Sequence, residues 1–187
     1  MRVIGGIAKG KRLFSVRGLK TRPTADRVKE SIFNILPGAF KGKELLDLFA
    51  GTGNLGIEGL SRGASKAVFV ESNRHVSSVL EKNLRNCGLI EKGQIIRATV
   101  AKGIEILEKR GDRFDFVFLD PPYRSGIFRD TLVRISRSQI SKDNTMVIGE
   151  HSSSETVEGD IEGLLLDDQR RYGTTTVSFF LLRRIEG

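Results

Sequence analysis

Residues 44–56, ELLDLFAGTGNLG, decide the fold of this chain. The run ELLDLF (44–49) is short and apolar, which predicts a buried strand. Gly51 and Gly53 follow it, and glycines at this place let the backbone turn sharply and approach a ligand closely. Apolar residues at helical spacing come next and end at Gly63. A strand, a glycine turn and a helix in this order are the opening unit of a parallel α/β sheet.

The same alternation continues through most of the chain. Four further apolar runs predict strands: AVFVE (67–71), QIIRA (94–98), FDFVFLD (114–120) and MVIGE (146–150). Helical patterns separate these runs, so we predict a parallel sheet with helices on both faces. The last two strand-like runs, at 164–173 and 174–184, have little between them and should pair antiparallel at an edge.

The first quarter of the chain follows a different pattern. Residues 2–8 and 11–16 are two strand-like runs around Gly10, which predicts a β-hairpin. A helical pattern then begins at Asp26 and stops before Pro37. We therefore predict a boundary near Lys43, with residues 1–43 as an N-terminal extension and residues 44–187 as the α/β core.

Positive charge is concentrated in that extension. The chain has a net charge of +8, and residues 1–43 hold eleven Lys or Arg against two acidic residues, a net charge of +9. The remaining residues carry a net charge of −1. A localised basic segment favours binding to a polyanion, and nucleic acid is the commonest one, although a solvated basic face is the alternative.

Composition excludes several classes of protein. No run approaches the ~18 apolar residues of a membrane span, and the N-terminus lacks a signal-peptide pattern. A single cysteine, Cys87, cannot form an internal disulfide, so we expect a cytoplasmic protein. His75 and His151 do not form a metal-ligand spacing with it, which predicts no metal site, and we expect His151 to lie at the surface.

The glycine turn also predicts the kind of cofactor. Glu71 ends the second strand, where an acid can bind the two hydroxyls of a ribose, so the two features together indicate an adenosine-containing cofactor. Gly51, Gly53 and Gly56 fit the dinucleotide pattern G-x-G-x-x-G, which leaves a nicotinamide-dependent oxidoreductase as an alternative. The carboxylate of Asp47 beside the loop would repel a pyrophosphate and favours S-adenosylmethionine, which carries a positive centre.

A second motif, DPPY at residues 120–123, ends the fourth predicted strand. Asp120 and the carbonyl of Pro121 can both accept hydrogen bonds from an exocyclic amine, and the two prolines hold these acceptors in place. Tyr123 offers a ring on which a flipped base can stack. Ligands bind beyond the carboxyl ends of parallel strands, so we expect Asp120 to face the same crevice as Gly51 and Glu71.

These motifs together resemble the class I S-adenosylmethionine-dependent methyltransferases that modify exocyclic amines. The N-terminal stretch RVIGGIAKGKRL, followed by RPT at 22–24 and DRVKE at 26–30, is similar to the RsmD family of small-subunit (16S) rRNA guanine-2-amino methyltransferases. The resemblance implies a Rossmann-like fold with a mostly parallel seven-stranded sheet and an antiparallel C-terminal edge strand. It also implies that the cofactor is S-adenosylmethionine. The implied partner is small-subunit rRNA within a ribosomal particle, and the protein is expected to be a monomer.

The resemblance assigns roles to individual residues. The expected catalytic residues, which hold the guanine, are Asp120, Pro121, Pro122 and Tyr123. The expected cofactor-binding residues are Asp47, Phe49, Ala50, Gly51, Gly53, Glu71, Ser72, Thr99 and Val100. The expected RNA-binding residues are Lys9, Lys11, Arg12, Lys20, Arg22 and Arg27.

One position departs from the family pattern. The family commonly has an acid where this chain has Thr99, and that acid usually accepts a hydrogen bond from the adenine amine. We expect the Thr99 hydroxyl to replace it. Besides the oxidoreductase, two alternatives remain: an adenine-specific DNA methyltransferase, which shares DPPY, and a non-catalytic rRNA-binding assembly protein.

Overall fold

Eight strands in the described part of the chain form one sheet in this computed structural model. The structure describes residues 1–16, 24–36, 38–122 and 126–183, without the side chains of residues 24–26. The strands are β1 (Glu44–Asp47), β2 (Lys66–Val70), β3 (Gly93–Ile96), β4 (Phe114–Leu119), β5 (Ser141–Ser152), β6 (Asp160–Ile161), β7 (Leu164–Tyr172) and β8 (Thr175–Leu182). The α-helices are α1 (Thr24–Ile35), α2 (Asn54–Ser61), α3 (Arg74–Asn86), α4 (Val100–Arg110) and α5 (Ile127–Arg137).

The strand order is β3-β2-β1-β4-β5-β8-β7-β6, and the first five strands of this order are parallel. The order reverses between β1 and β4, which is where open α/β sheets bind their ligands. The parallel strands all end at one edge of the sheet, so the residues that follow β1, β2, β3 and β4 lie there together. The predicted α/β fold with a mostly parallel sheet is confirmed.

Two details of the sheet differ from the prediction. The sheet has eight strands rather than seven in the described residues, because the two-residue strand β6 adds to β7. The last strand, β8, does not lie at the edge: it pairs antiparallel with β5 on one side and with β7 on the other. Nearly all residues of β8 are buried, and a strand that is apolar on both faces is stable only in the interior of a sheet.

The predicted N-terminal hairpin is reduced to a single antiparallel bridge between Arg2 and Arg12. Turns and bends occupy most of the residues between them. Val3, Ala8 and Leu13 are nevertheless buried in the hydrophobic cluster that α2 and α3 form on one face of the sheet. Helices α4 and α5 cover the other face. The basic N-terminal segment therefore packs directly onto the α/β core.

Candidate functional site

The glycine turn after β1 has the sharp backbone turn that the sequence predicts. Gly53 has a φ of 90°, in the left-handed region, and lies directly before α2. A Cβ atom added to Gly53 would lie 2.3 Å from Cδ1 of Leu80, so a larger residue does not fit. The Gly53 N–H donates to the carbonyl of Ala50 at 2.7 Å, which closes the turn tightly at the start of the helix.

Glu71, directly after β2, contacts this turn. Its Oε2 accepts a hydrogen bond from the Gly51 N–H at 3.1 Å, and its Oε1 accepts one from the Asn73 N–H at 2.7 Å. The structure thus brings Gly51 and Glu71 together across two adjacent strand ends, as the sequence analysis expects. The carboxylate is partly exposed, so it remains accessible to a ligand.

Asp47 lies behind the turn. Its side chain is buried, and Oδ2 accepts a hydrogen bond from the Gly56 N–H in α2 at 3.1 Å. Burial raises the pKa of Asp47 to about 7; the nearby charge of Glu71 adds to the rise, and the Gly56 hydrogen bond opposes it. Asp47 therefore anchors α2 to β1 and places a titrating carboxyl group beneath the turn.

This buried carboxyl group gives a pH-dependent prediction for Asp47→Asn. Between about pH 4 and pH 7 the unfolded wild type has lost the Asp47 proton and the folded wild type retains it, so this residue's contribution to stability falls as the pH rises. The asparagine side chain of the variant does not titrate. The free energy of unfolding of the variant, relative to wild type, should rise by up to about 1.4 kcal/mol per pH unit in this window and level off above it. Denaturant titrations from pH 4 to 8 measure the free energy of unfolding of both proteins. A difference between the two free energies that stays constant over this range would contradict the prediction.

A cavity of about 770 Å³ opens at the carboxyl edge of the sheet. Ten of the predicted catalytic and cofactor-binding residues line it: Phe49, Ala50, Gly51, Glu71, Ser72, Thr99, Val100, Asp120, Pro121 and Pro122. Asp47 and Gly53 are not among its described lining residues, and Tyr123 lies outside the described residues. Several other lining residues were not predicted from the sequence: Lys29, Asn54, Asp130, Arg134 and Glu150.

Thr99, whose hydroxyl we expect to contact the adenine amine, also caps a helix. Its Oγ1 accepts a hydrogen bond from the Lys102 N–H at 3.4 Å and caps the N-terminus of α4. The Thr99 hydroxyl therefore acts as the N-cap of α4, a position at which threonine is common. Val100 begins α4 and lines the cavity, and the first N–H groups of a helix have no partner within that helix.

Asp120 follows β4 and is exposed, whereas Pro121 is buried. β4 lies between β1 and β5, so Asp120 stands beside the glycine turn at the reversal of strand order. The chain thus presents a carboxylate at the cavity, held on one side by a strand and on the other by two prolines. Such an acceptor needs little reorganisation to bind an amine.

The predicted RNA-binding residues that the structure describes lie at the surface. Lys9, Lys11, Arg12 and Arg27 are all exposed. Lys20 and Arg22 lie outside the described residues. Met1, Ser15 and Val16 line the cavity, so the basic segment reaches its rim.

A buried ionic cluster that the sequence analysis missed ties the N-terminal segment to the core. Glu58 in α2 is 0% exposed, and its two oxygens accept hydrogen bonds from the N–H groups of Ile4 and Gly5 at 2.9 and 2.8 Å. Arg62 donates to the same carboxylate at 2.8 Å, and Nζ of Lys29 lies 3.5 Å from it. One carboxylate thus holds two positive charges and two backbone amides.

Lys29, also 0% exposed, connects this cluster to the cavity. Its Nζ donates to the carbonyl of Arg2 at 2.6 Å and to Oδ1 of Asn54 at 2.8 Å. Asn54 is the first residue of α2 and follows the glycine turn. The segment that carries the positive charge is therefore joined to the turn through a buried lysine.

Within the described residues, the structure has no cluster of three or more His, Cys, Asp or Glu that could bind a metal ion. No described helix is long and apolar enough to span a membrane. Cys87 is buried, and burial raises the pKa of its thiol.

Comparison with known proteins extends these observations. The family model described as "Conserved hypothetical protein 95" matches residues 1–181. The chain is 36% identical over 183 residues to "Putative rRNA methyltransferase YlbH" of Bacillus subtilis (strain 168), covering 98% of this chain and 100% of that protein. It is 38% identical over 132 residues to "Ribosomal RNA small subunit methyltransferase D" of Escherichia coli (strain K12), covering 71% of this chain and 65% of that protein. The solved structure "Putative methyltransferase yhhF from Escherichia coli" has a TM-score of 0.85 and 30% identity, covering 97% of each chain.

Proposed function

Because the chain belongs to the family described as conserved hypothetical protein 95, the RsmD family of methyltransferases, we propose that it methylates a guanine 2-amino group in small-subunit rRNA, with S-adenosylmethionine as methyl donor. The names of its relatives support rRNA methylation. The choice of the guanine 2-amino group rests on the DPPY motif together with the N-terminal stretch that resembles this family.

The negative charge of the cavity supports S-adenosylmethionine as the cofactor. Among the described lining residues, four are acidic: Glu71, Asp120, Asp130 and Glu150. Two are basic, Lys29 and Arg134, and Lys29 is already paired with Glu58. A negative cavity attracts the sulfonium and ammonium charges of S-adenosylmethionine, whereas it repels the pyrophosphate of a nicotinamide dinucleotide. This observation argues against the oxidoreductase alternative.

The residues at the strand ends fit the parts of this cofactor. In the proposed complex Glu71 accepts hydrogen bonds from the ribose, and the first N–H of α4, that of Val100, donates to the adenine ring. Gly51 and Ala50 allow the methionine part to approach the backbone closely. A volume of about 770 Å³ lies within the range of small-molecule sites, roughly 300–1,000 Å³.

Asp120 and the carbonyl of Pro121 then orient the guanine. When bound, the cofactor supplies a methyl group activated by its sulfonium charge. The exocyclic amine is a weak nucleophile, since its lone pair is conjugated with the ring. Hydrogen bonds to the two acceptors align that lone pair and stabilise the positive charge that develops as the new N–C bond forms and the S–C bond breaks. S-adenosylhomocysteine would leave as the product of the broken S–C bond, the methylated amine would pass its extra proton to Asp120 or to solvent water, and the enzyme forms no covalent intermediate.

RNA contacts are proposed for the basic segment. Lys9, Lys11, Arg12 and Arg27 are exposed, and the segment reaches the rim of the cavity. We propose RNA contacts for Lys20 and Arg22 as well, from their positions in the sequence. We propose that residues 1–43 contact the RNA and that residues 44–187 form the methyltransferase domain.

Glu71→Ala should weaken S-adenosylmethionine binding by about tenfold to a hundredfold, because a charged hydrogen bond contributes roughly 1.5–3 kcal/mol. Glu71→Gln keeps one acceptor oxygen and should lose less. Isothermal titration calorimetry with S-adenosylmethionine measures both affinities. Unchanged affinity in the alanine variant would remove Glu71 from the cofactor site.

The function itself is tested with a labelled methyl donor. The protein is incubated with labelled S-adenosylmethionine and, separately, with naked small-subunit rRNA, small-subunit particles lacking the modification, and duplex DNA. Nuclease digestion and mass spectrometry then identify the labelled nucleoside. We expect N2-methylguanosine from the rRNA, and particles that already carry the modification serve as the control. Labelled adenine in DNA would establish the competing activity, and binding of rRNA without methyl transfer would indicate the assembly protein.

A further inference from the structure

Two large apolar side chains are exposed among the described residues, Ile7 at 78% and Phe14 at 56%. Both belong to the basic N-terminal segment. Single exposed apolar residues are common on protein surfaces and carry no meaning by themselves. The surroundings of Phe14, however, differ from those of Ile7.

The backbone of Phe14 is fixed by one buried amide side chain. The Phe14 N–H donates to Oδ1 of Asn83 at 2.7 Å, and Nδ2 of Asn83 donates back to the Phe14 carbonyl at 3.0 Å. Asn83, in α3, is 0% exposed. Its Nδ2 also donates to the carbonyl of Thr52 in the glycine turn at 2.8 Å. The position of Phe14 is therefore set relative to the cofactor-binding turn, and Leu13 beside it is buried, so the ring projects outward.

Phe14 stands next to the rim of the cavity. The two residues that follow it, Ser15 and Val16, line the cavity, as does Thr52. Neighbouring residues of an extended chain are separated by about 3.3 Å, so a base just outside the cavity can reach the ring. Ile7 lies elsewhere: its N–H donates to the carbonyl of Ser61 at the opposite end of α2, about 10 Å along that helix.

The charge around Phe14 indicates the chemistry of its partner. Lys9, Lys11 and Arg12 are exposed in the same segment, and the Arg12 carbonyl is held by Nδ2 of Asn86 in α3 at 2.9 Å. Exposed aromatic rings beside cationic side chains are the pattern by which proteins bind single-stranded nucleic acid: the cations contact phosphates and the ring stacks on a base.

We propose that the Phe14 ring stacks on an unpaired base that neighbours the target guanine in the RNA strand. This inference rests on the proposed RNA substrate and adds a contact outside the reacting base. A base flipped into a cavity leaves its neighbours unstacked, and a ring fixed at the rim replaces that lost stacking without itself having to be ordered. Phe14 is thus a substrate-positioning residue.

Steady-state kinetics tests this with Phe14→Ala, and Ile7→Ala is the matched control in the same segment. Loss of one base stack should raise the KM for the rRNA substrate roughly tenfold, with kcat and S-adenosylmethionine affinity unchanged. Ile7→Ala should stay within about twofold of wild type. Phe14→Tyr, which keeps a ring, should restore the wild-type KM. A wild-type KM in Phe14→Ala, or failure of the tyrosine variant to restore it, would overturn the proposal.

A direct contact is tested by fluorescence, because the chain contains no tryptophan. Phe14→Trp creates a single reporter, and addition of naked small-subunit rRNA should quench its emission, whereas Ile7→Trp should change little. An unquenched Phe14→Trp that still binds the rRNA in a filter assay would refute stacking while leaving the proposed function intact. A shift of the emission maximum of Phe14→Trp with protein concentration in the absence of RNA, with no such shift for Ile7→Trp, would show self-association through this position and would also refute the proposal. Absence of rRNA binding and of methyl transfer in the wild type would remove the proposed function and this inference together.

Discussion

Replacing Asp120 with alanine should reduce the single-turnover rate of methyl transfer by at least about a hundredfold. The side chain is exposed at the end of β4 and lines the cavity, and its proposed partner is the amine that reacts. Removing the carboxylate leaves the carbonyl of Pro121 as the single proposed acceptor, so the amine loses both alignment and charge stabilisation. Affinity for S-adenosylmethionine should fall only slightly, because Glu71, Asp130 and Glu150 keep the cavity acidic and no direct cofactor contact is proposed for Asp120.

Asp120→Asn separates the two contributions of this residue. It keeps an acceptor oxygen and loses the negative charge, so it should retain more activity than the alanine variant. Asp130→Asn is the matched control, since Asp130 is a second exposed carboxylate that lines the same cavity, on α5. Rapid-quench measurements with saturating cofactor and RNA give the rates. If Asp120→Asn is no faster than Asp120→Ala, hydrogen-bond acceptance by the side chain is not its contribution.

The position of Asp120 could be predicted because one rule of topology decides it. Parallel strands end at a common edge, and the apolar runs before Gly51, Glu71 and Asp120 are long enough to be recognised as strands. The sequence therefore predicts which residues meet at the site without any side-chain geometry. The same rule does not apply to β8, whose interior position follows from its burial on both faces rather than from its place at the end of the chain.

Residues whose roles depend on distant partners could not be predicted. The expected surface position of His151 is wrong: the residue is 1% exposed in β5, where its Nε2 lies 2.8 Å from Oγ of Ser178 and its ring stacks on Phe128. The burial of Lys29 could not be predicted for the same reason. A lysine on a helix is normally exposed, and Lys29 is buried because it pairs with Glu58, 29 residues further along the chain. Glu58 carries a weak signal, since it is a charged residue inside the apolar run of α2.

Glu58→Ala should have the largest effect on stability. The change removes the carboxylate that lies 3.5 Å from Nζ of the buried Lys29, removes the partner of Arg62, and removes the acceptor of the Ile4 and Gly5 N–H groups. Breaking a buried ion pair from one side costs roughly 3–5 kcal/mol. For a chain of this length, that corresponds to a fall in melting temperature of roughly 6–20 °C, measurable by calorimetry. Glu58→Gln keeps an acceptor for the backbone amides and should recover part of the loss.

Glu81→Ala is the matched control for Glu58→Ala, because it removes a glutamate that makes an ion pair of the same helical spacing. Glu81 pairs with Arg85 at 2.9 Å in α3, and Glu58 pairs with Arg62 at 2.8 Å in α2. The side chain of Glu81 is 37% exposed, whereas that of Glu58 is 0% exposed. Water screens and replaces the exposed pair, so its loss should cost less than about 1 kcal/mol. If the two alanine variants melt at the same temperature, burial is not what makes the Glu58 cluster important. The N-terminal segment must then be held to the core by the packing of Val3, Ala8 and Leu13 instead.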